Sequence, residues 1–191
     1  MARKGVENSE IRASLITAAR QLIQTEGFHA VTARRLSEQV GLKRQIVHYY
    51  FGTLDDLFIA VLREDGEIVT ARMIKALETE QPLKLVWEQA YNASAAGLEM
   101  MALALHRKGI RDEIKRIADD YRDLQIAALT DYLDRHKLSP STPPAVSALM
   151  MASVAQGLAL EKALGMSKGH EETIAHIEAL LKNFENSGRS F

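Results

Sequence analysis

The chain has 191 residues, of which 47% are hydrophobic, and 24 Lys and Arg nearly balance 25 Asp and Glu for a formal net charge of −1. That is the composition of an ordinary globular protein with enough apolar material for its own core. It holds no cysteine, which excludes disulfides, thiolate metal sites and a cysteine nucleophile and fits a reducing, cytoplasmic setting.

Elements follow one another as helices. Residues 1–8 are charged with no apolar stretch behind them, so no secretory signal is expected. Ile11, Leu15, Ala18, Ala19, Leu22 and Ile23 then recur on one helical face. Asn8 or Ser9 is the expected cap of that helix, and Gly27 its left-handed end. Thr32 caps a short second helix ending near Val40, Gly41 breaks the chain, and a third helix runs from about Lys43 to Tyr50. Gly52 breaks it again. Thr53 caps a fourth helix with Asp55 and Asp56 in its first turn, where the helix dipole favours negative charge. Leu57, Val61 and Leu62 share one of its faces, and Gly66 is expected to weaken or bend it before Leu77. Pro82 opens a fifth helix carrying Leu85, Val86, Trp87 and Tyr91. Further helices are read near Gly97–Lys108, Ile110–His136, Ala145–Leu164 and His170–Phe184, with a Ser/Thr/Pro-rich loop at Leu138–Pro144. The apolar run from Ala145 to Leu160 is too short to span a bilayer and is interrupted by Ser147, Ser153 and Gln156, so no membrane is expected.

The second and third helices carry the chemistry. Two short helices packed around a tight turn need buried residues at set positions. Leu36 and the small Ser37 fill them on the first helix, Val40, Gly41 and Leu42 form the turn, and Val47 and Tyr50 fill them on the second. With Val47 and Tyr50 inward, Arg44, Gln45, His48 and Tyr49 face outward or sideways. Arg pairs with guanine edges and Gln with adenine edges in a major groove, while Lys43 and Arg44 lie near phosphates. Arg34, and the amides at the start of the helix capped by Thr32, reach a flanking phosphate. Charge agrees with this: residues 1–51 carry a net +4 and residues 52–191 a net −5, a basic head on an acidic body.

The stretch GFHAVTARRLSEQVGLKRQIVHYYFGTLDDLFIAVL, residues 27–62, resembles the DNA-binding signature of the tetracycline-repressor (TetR) family, most closely at Gly27-Phe28, Val31-Thr32, Val40-Gly41-Leu42 and Tyr49-Tyr50-Phe51. The resemblance implies an all-α protein of about nine helices, with an N-terminal three-helix helix-turn-helix domain and a C-terminal helical bundle that dimerises through its last two helices. It further implies a small-molecule pocket in the body, and a ligand that shifts the fourth helix and releases double-stranded operator DNA, usually as a repressor. The chain departs from the family pattern at Lys43, where Ser or Thr is usual, at Gln45 (Gly), at His48 (Tyr) and at Leu54 (a phosphate-gripping Lys).

These readings divide the chain into a DNA-binding domain, residues 1–52, and a ligand-binding and dimerisation domain, residues 53–191. The Ala145–Leu164 helix is apolar nearly all round and is expected to be buried on several sides. Its Ser153 and Gly157, one turn apart, permit close approach; with Ile174, Ile177, Leu180 and Leu181 of the last helix they are the candidate homodimer interface. A dimer also follows from recognition itself, since two heads must reach successive major grooves about 34–36 Å apart. Candidates for a pocket that takes an apolar effector are Trp87, Tyr91, Met100, Met101, Leu105, His106, Tyr121 and Met150.

No catalytic residue, metal site or cofactor is expected. The phosphate-cradling loop, the nucleophile elbow and the dinucleotide fingerprint are all missing from the sequence. HEETIAH, residues 170–176, places Ile174 where a zincin needs its second His. Asp119, Asp120 and Asp123 read as a solvated acidic face. The competing reading is an interaction module that uses a helix-turn-helix fold without DNA.

Overall fold

The computed structural model describes residues 2–79, 82–91, 95–137 and 142–187. Among them every regular element is helical: α1 (Ala2–Glu26), a single 3-10 turn (Phe28–Ala30), α2 (Ala33–Gln39), α3 (Gln45–Phe51), α4 (Leu54–Leu77), α5 (Pro82–Tyr91), α6 (Ala95–Ala104), α7 (Lys108–Arg135), α8 (Pro144–Ala163) and α9 (His170–Ser187). The all-α expectation holds. The first boundary differs. α1 starts at Ala2, so Asn8 and Ser9 are interior positions rather than caps. Of the Ser/Thr/Pro-rich loop, residues 138–141 lie outside the described residues, as does the side chain of Leu85.

The chain forms two compact units. Unit 1 is Met1–Glu67 with Ala96–Ile117, and unit 2 is Ile68–Ala95 with Ala118–Phe191. Residues 53–67 and 96–117 therefore pack with residues 1–52.

Unit 1 is built on the apolar face of α1. Leu15, Ile16, Ala19, Leu36, Leu57 and Ile110 are fully buried together, each large side chain contributing about 1.5–3 kcal/mol relative to exposure. Gly27, at φ 86°, ends α1 in the left-handed region, a conformation that costs other residues strain. Thr53 caps α4 as read from the sequence. Its Oγ1 accepts from the Asp56 backbone N–H (3.1 Å), while Asp56 Oδ2 accepts from the Thr53 backbone N–H (3.1 Å) and hydroxyl (2.7 Å), a reciprocal cap. α4 then runs unbroken through Gly66, contrary to the expected weakening. A Cβ there would lie 3.1–3.3 Å from three side-chain atoms of Ile117 on α7, so the glycine allows α7 to pass closely.

Charged groups tie the same unit together. Arg20 donates to Glu64 (3.0 Å) and Asp65 (2.6 Å). Glu113, only 6% exposed, accepts from Arg63 (2.8 Å) and Arg116 (2.7 Å). Those hydrogen bonds, that from Arg63 foremost, hold the Glu113 carboxyl below its ordinary range against the opposing cost of burial.

In unit 2, Trp87, Ala155, Leu158 and Leu181 form one buried cluster, flanked by Tyr91, Ile174 and Ile177. Met73, Ala76 and Val86 form another, against which Tyr121 and Leu124 pack. The expectation that α8 is buried on several sides is not met within the chain. Ala148, Ala155, Leu158 and Ala159 are buried, but Val146, Leu149, Met150, Val154 and Leu160 are exposed. At 20 residues, α8 is also long and apolar enough, by length and composition alone, to cross a membrane, so the length objection from the shorter run does not stand. One such helix is weak grounds for a membrane, and α8 packs on the Trp87 cluster.

Candidate nucleic-acid interface

Thr32 starts the site. Its hydroxyl accepts from the Arg35 backbone N–H at 3.2 Å and caps α2, so its side chain is already committed to helix geometry. Leu36 is fully buried, Ser37 is buried with its hydroxyl donating to the Arg34 carbonyl (2.8 Å), and Val40 packs against the same core. Gly41 turns the chain at φ 68°, a left-handed step that glycine takes freely. The Leu42 N–H donates to the Ser37 carbonyl at 2.9 Å and closes the turn.

α3 follows without a side-chain cap, because Arg44 occupies the cap position in helical geometry; this agrees with the missing Ser or Thr at Lys43. Val47 (2% exposed) and Phe51 (5%) are its buried anchors. Tyr50 was the expected second anchor, but it is only partly buried. Phe51 sits four residues after Val47 and so lies closer to the same inward line than Tyr50 does. The Arg12 guanidinium lies 5.2 Å from the Phe51 ring centroid and covers it.

Lys43 and the cap residue Arg44, just before α3, and Gln45, His48 and Tyr49 on it are all exposed, with Tyr49 at 73%. His48 Nδ1 lies 3.3 Å from the Gly52 carbonyl oxygen. An acceptor at that nitrogen calls for a proton on Nδ1 in the neutral ring, which leaves Nε2 an acceptor. Arg34 is exposed beside Glu38, at 3.1 Å; a pair in open solvent is weak and readily exchanged. Arg35, which was not among the expected DNA-facing residues, is instead tied to Glu26 (2.7 Å) and joins α2 to the end of α1.

The expected pocket residues are not brought together. Trp87 is buried and Tyr91 packs beside it, with ring centroids 5.3 Å apart. Tyr121 packs on the Met73 cluster, and burial raises its phenol above the ordinary range, partly offset by the Arg122 charge. Met100 is a core residue of unit 1, where Met101, Leu105 and His106 are exposed. Four of the eight thus belong to unit 1, which also carries α3. Of the rest, only Met150 lines the apolar cavity of about 570 Å³ in unit 2. That cavity draws its walls from α4, α5, α7, α8 and α9, among them Met73, Val86, Leu129 and Phe184. Their apolar periodicity is that of any core helix, so the sequence did not single them out.

The expected interface residues split likewise. Ser153 and Gly157 are exposed, and nothing approaches within 4 Å of a Cβ at Gly157. Ile174 and Ile177 are half-buried, while Leu181 (9% exposed) belongs to the Trp87 cluster, leaving its neighbour Leu180 (54%) as the open position. Among the described residues no group of His, Asp and Glu is placed to hold a metal ion.

Residues 15–61 match the family model for bacterial regulatory proteins of the tetR family. Over 64 residues, 32% of this chain, the sequence is 35% identical to the HTH-type transcriptional repressor AcnR of Corynebacterium diphtheriae. The match spans about a third (34%) of that relative's length. Solved structures agree in fold over nearly the whole chain. A TetR transcription regulator from Haloarcula marismortui superposes with a TM-score of 0.77 at 18% identity, covering 91% of this chain and 96% of that one. A transcriptional regulator from Saccharomonospora viridis, solved in complex with choline, gives 0.76 at 18% identity over 92% and 95%. At such identities the likeness is one of fold.

Proposed function

We infer, from a chain whose N-terminal domain belongs to the TetR family of bacterial regulatory proteins, that the protein is a cytoplasmic, ligand-responsive transcriptional regulator. It binds a palindromic operator as a homodimer, acts as a repressor, and is released by a small apolar effector. Residues 1–52 do the reading; residues 53–191 dimerise and bind the effector.

The observation that carries the reading is the two-sided α3: Val47 and Phe51 are locked inward while Lys43, Arg44, Gln45, His48 and Tyr49 remain open to a groove. Lys43 and Arg44 supply charge for phosphates, and Arg44, Gln45 and His48 supply base contacts. Thr32 orients the first turn of α2, and Arg34, paired with Glu38 in open solvent, swings to a phosphate. The curated relative matched over this segment is itself named a transcriptional repressor.

Dimerisation rests on the apolar surface that α8 and α9 leave open, Val146, Leu149, Val154 and Leu180 around Ser153 and Gly157. Apolar side chains left open in this way are what a second copy would cover.

The test is selection of bound duplexes from a random library by the purified protein. A two-fold symmetric winner with half-sites one helical turn apart, or a multiple of it, is expected. Failure to enrich any sequence overturns the reading and leaves a protein-interaction module in its place.

A further inference from the structure

The turn between α6 and α7, residues 105–107, carries a basic rim to the junction of α3 and α4. Ala104 and Ile110, on either side of it, are buried in the same core as Leu57 of α4. That packing sets the register of α7 along α4: Arg107 lies 3.5 Å from Asp55, Glu113 meets Arg63, and Ile117 passes Gly66. α7 therefore starts beside the end of α4 that follows α3. Arg107, Lys108 and Arg111 are exposed there, and Asp112, the one acid in residues 105–112, is held by Lys108 at 2.6 Å. The junction itself is acidic. α3 ends at Phe51, and α4 opens with the apolar Leu54 followed by Asp55 and Asp56. It is continuous with the exposed residues of α3, since His48 Nδ1 lies 3.3 Å from the Gly52 carbonyl oxygen and the Asp56 carboxylate accepts from the neighbouring Thr53 hydroxyl. A phosphate backbone laid along α3 and past His48 meets two carboxylates there unless a cation offsets them.

We propose that Arg107 grips a backbone phosphate just beyond the bases that α3 reads, so that the DNA interface extends from the helix-turn-helix onto the α6–α7 turn. The proposal rests on the DNA reading above and adds to it a contact from outside residues 1–52. Without DNA, the guanidinium is held by a long pair: Nη1 lies 3.5 Å from Asp55 Oδ2, with the two side chains 55% and 37% exposed. Such a pair is weak and readily exchanged. A phosphate offers the guanidinium two oxygens that match its N–H fork. The α4 amides are not the anion site, because the Thr53 hydroxyl already caps that helix by accepting the Asp56 N–H. Arg107 on the phosphate also stays near Asp55 and offsets the repulsion that this carboxylate exerts on the backbone.

The experiment titrates the intact wild-type protein, Arg107→Ala, Arg107→Lys and Arg135→Ala with the selected duplex and with a shuffled one, over a range of salt. Arg107→Ala is expected to bind both duplexes about tenfold more weakly at about 0.1 M salt, with a log–log slope shallower by about 1 per protomer. Arg107→Lys should restore the slope, because it keeps the charge. Arg135→Ala removes the same charge from an exposed pair in unit 2 and should match the wild type. Phosphate ethylation places the contact: one position per half-site should block the wild type and no longer matter to Arg107→Ala. The thermal midpoint of Arg107→Ala should stay within about 2 °C of the wild type, since the pair it loses is exposed. An Arg107→Ala variant with wild-type affinity, slope and ethylation pattern overturns the proposal. If Arg44→Ala still weakens binding in that case, the DNA reading stands. An equal loss in Arg135→Ala would reduce the effect to net charge, and a weakened Arg107→Ala that keeps every ethylation position would make the residue structural; either overturns the proposal. So does a changed preference between the two duplexes, which marks a base contact. A wild-type protein that enriches no duplex overturns this proposal and the DNA reading together.

Discussion

Glu99 of α6 caps a turn that lies 71 positions earlier in the chain: its Oε2 accepts the Phe28 backbone N–H at 3.0 Å. Gly27, which precedes that turn, has no side chain to do so. A Cβ on residue 27 would lie 2.9 Å from the same Oε2 and would have to be held at φ 86°. The start of the helix-turn-helix thus borrows its cap from a helix that reads, in sequence, as part of the body.

Glu99→Ala is therefore expected to lower the stability of unit 1 by about 1–3 kcal/mol, the range for removing a charged partner from a backbone donor. Glu99→Gln should recover much of it. Urea unfolding monitored by a probe in unit 1 measures both. A change below about 0.3 kcal/mol in the Ala variant would make the contact incidental, since surface substitutions without a structural role stay within about 0.5 kcal/mol.

The anchors and the presented residues of α3 and its neighbours should separate cleanly. Leu36 is fully buried and Val47 is 2% exposed, so Leu36→Ala is expected to cost about 2–5 kcal/mol, and Val47→Ala somewhat less. Gln45→Ala and His48→Ala alter exposed positions and should shift stability by less than about 0.5 kcal/mol while weakening operator binding. Thermal melts and binding titrations on the same variants check the pair of outcomes.

Acid should loosen unit 1 through Glu113. Its carboxyl is held down by the Arg63 hydrogen bond and, after the opposing cost of burial, by that from Arg116. A carboxylate with a depressed folded value stabilises the fold above the unfolded value, about 4.3, and loses that contribution as pH falls through the folded one. The midpoint of denaturation should hold steady from neutral pH down to the ordinary carboxylate range and fall below it. In Glu113→Gln that fall should be shallower, on top of a destabilisation of about 1–3 kcal/mol at pH 7. Identical acid limbs in the two proteins would contradict this.

Gly66 and Ile117 should be coupled. An alanine at 66 gains helix propensity, about 1 kcal/mol, but pushes on an isoleucine that its Cβ would meet at 3.1 Å. Gly66→Ala is expected to be less favourable in the wild-type background than beside Ile117→Ala, which removes all three of the atoms that its Cβ would meet, with an interaction energy of about 0.5 kcal/mol or more. Additive effects would show that the two side chains do not press on each other.

The local steps of the head were legible because they depend on few residues. Thr32 as a cap, Gly27, Gly41 and Gly52 as breaks and Leu36 and Val47 as anchors each follow from residue chemistry at short range. Phe51 takes the anchoring place expected of Tyr50, although its four-residue spacing from Val47 carried the signal. What failed was assignment between helices. Met100 sits on an almost wholly apolar segment, AAGLEMMALA, whose pattern names no inward face and so cannot tell which unit it packs in. The exposure of α8 escapes sequence for the same reason: a helix apolar all round looks alike whether its own chain or another copy covers it.

The most direct measurement is the salt dependence of binding to the selected duplex, taken for the wild-type protein and for Arg44→Ala. The wild-type affinity should fall linearly on a log–log plot against salt, and the variant should bind more weakly, with a slope shallower by about 1 for each phosphate it no longer neutralises. Wild-type binding that ignores salt, or an Arg44→Ala variant that matches the wild type in affinity and slope, would contradict the claim that α3 is presented to DNA.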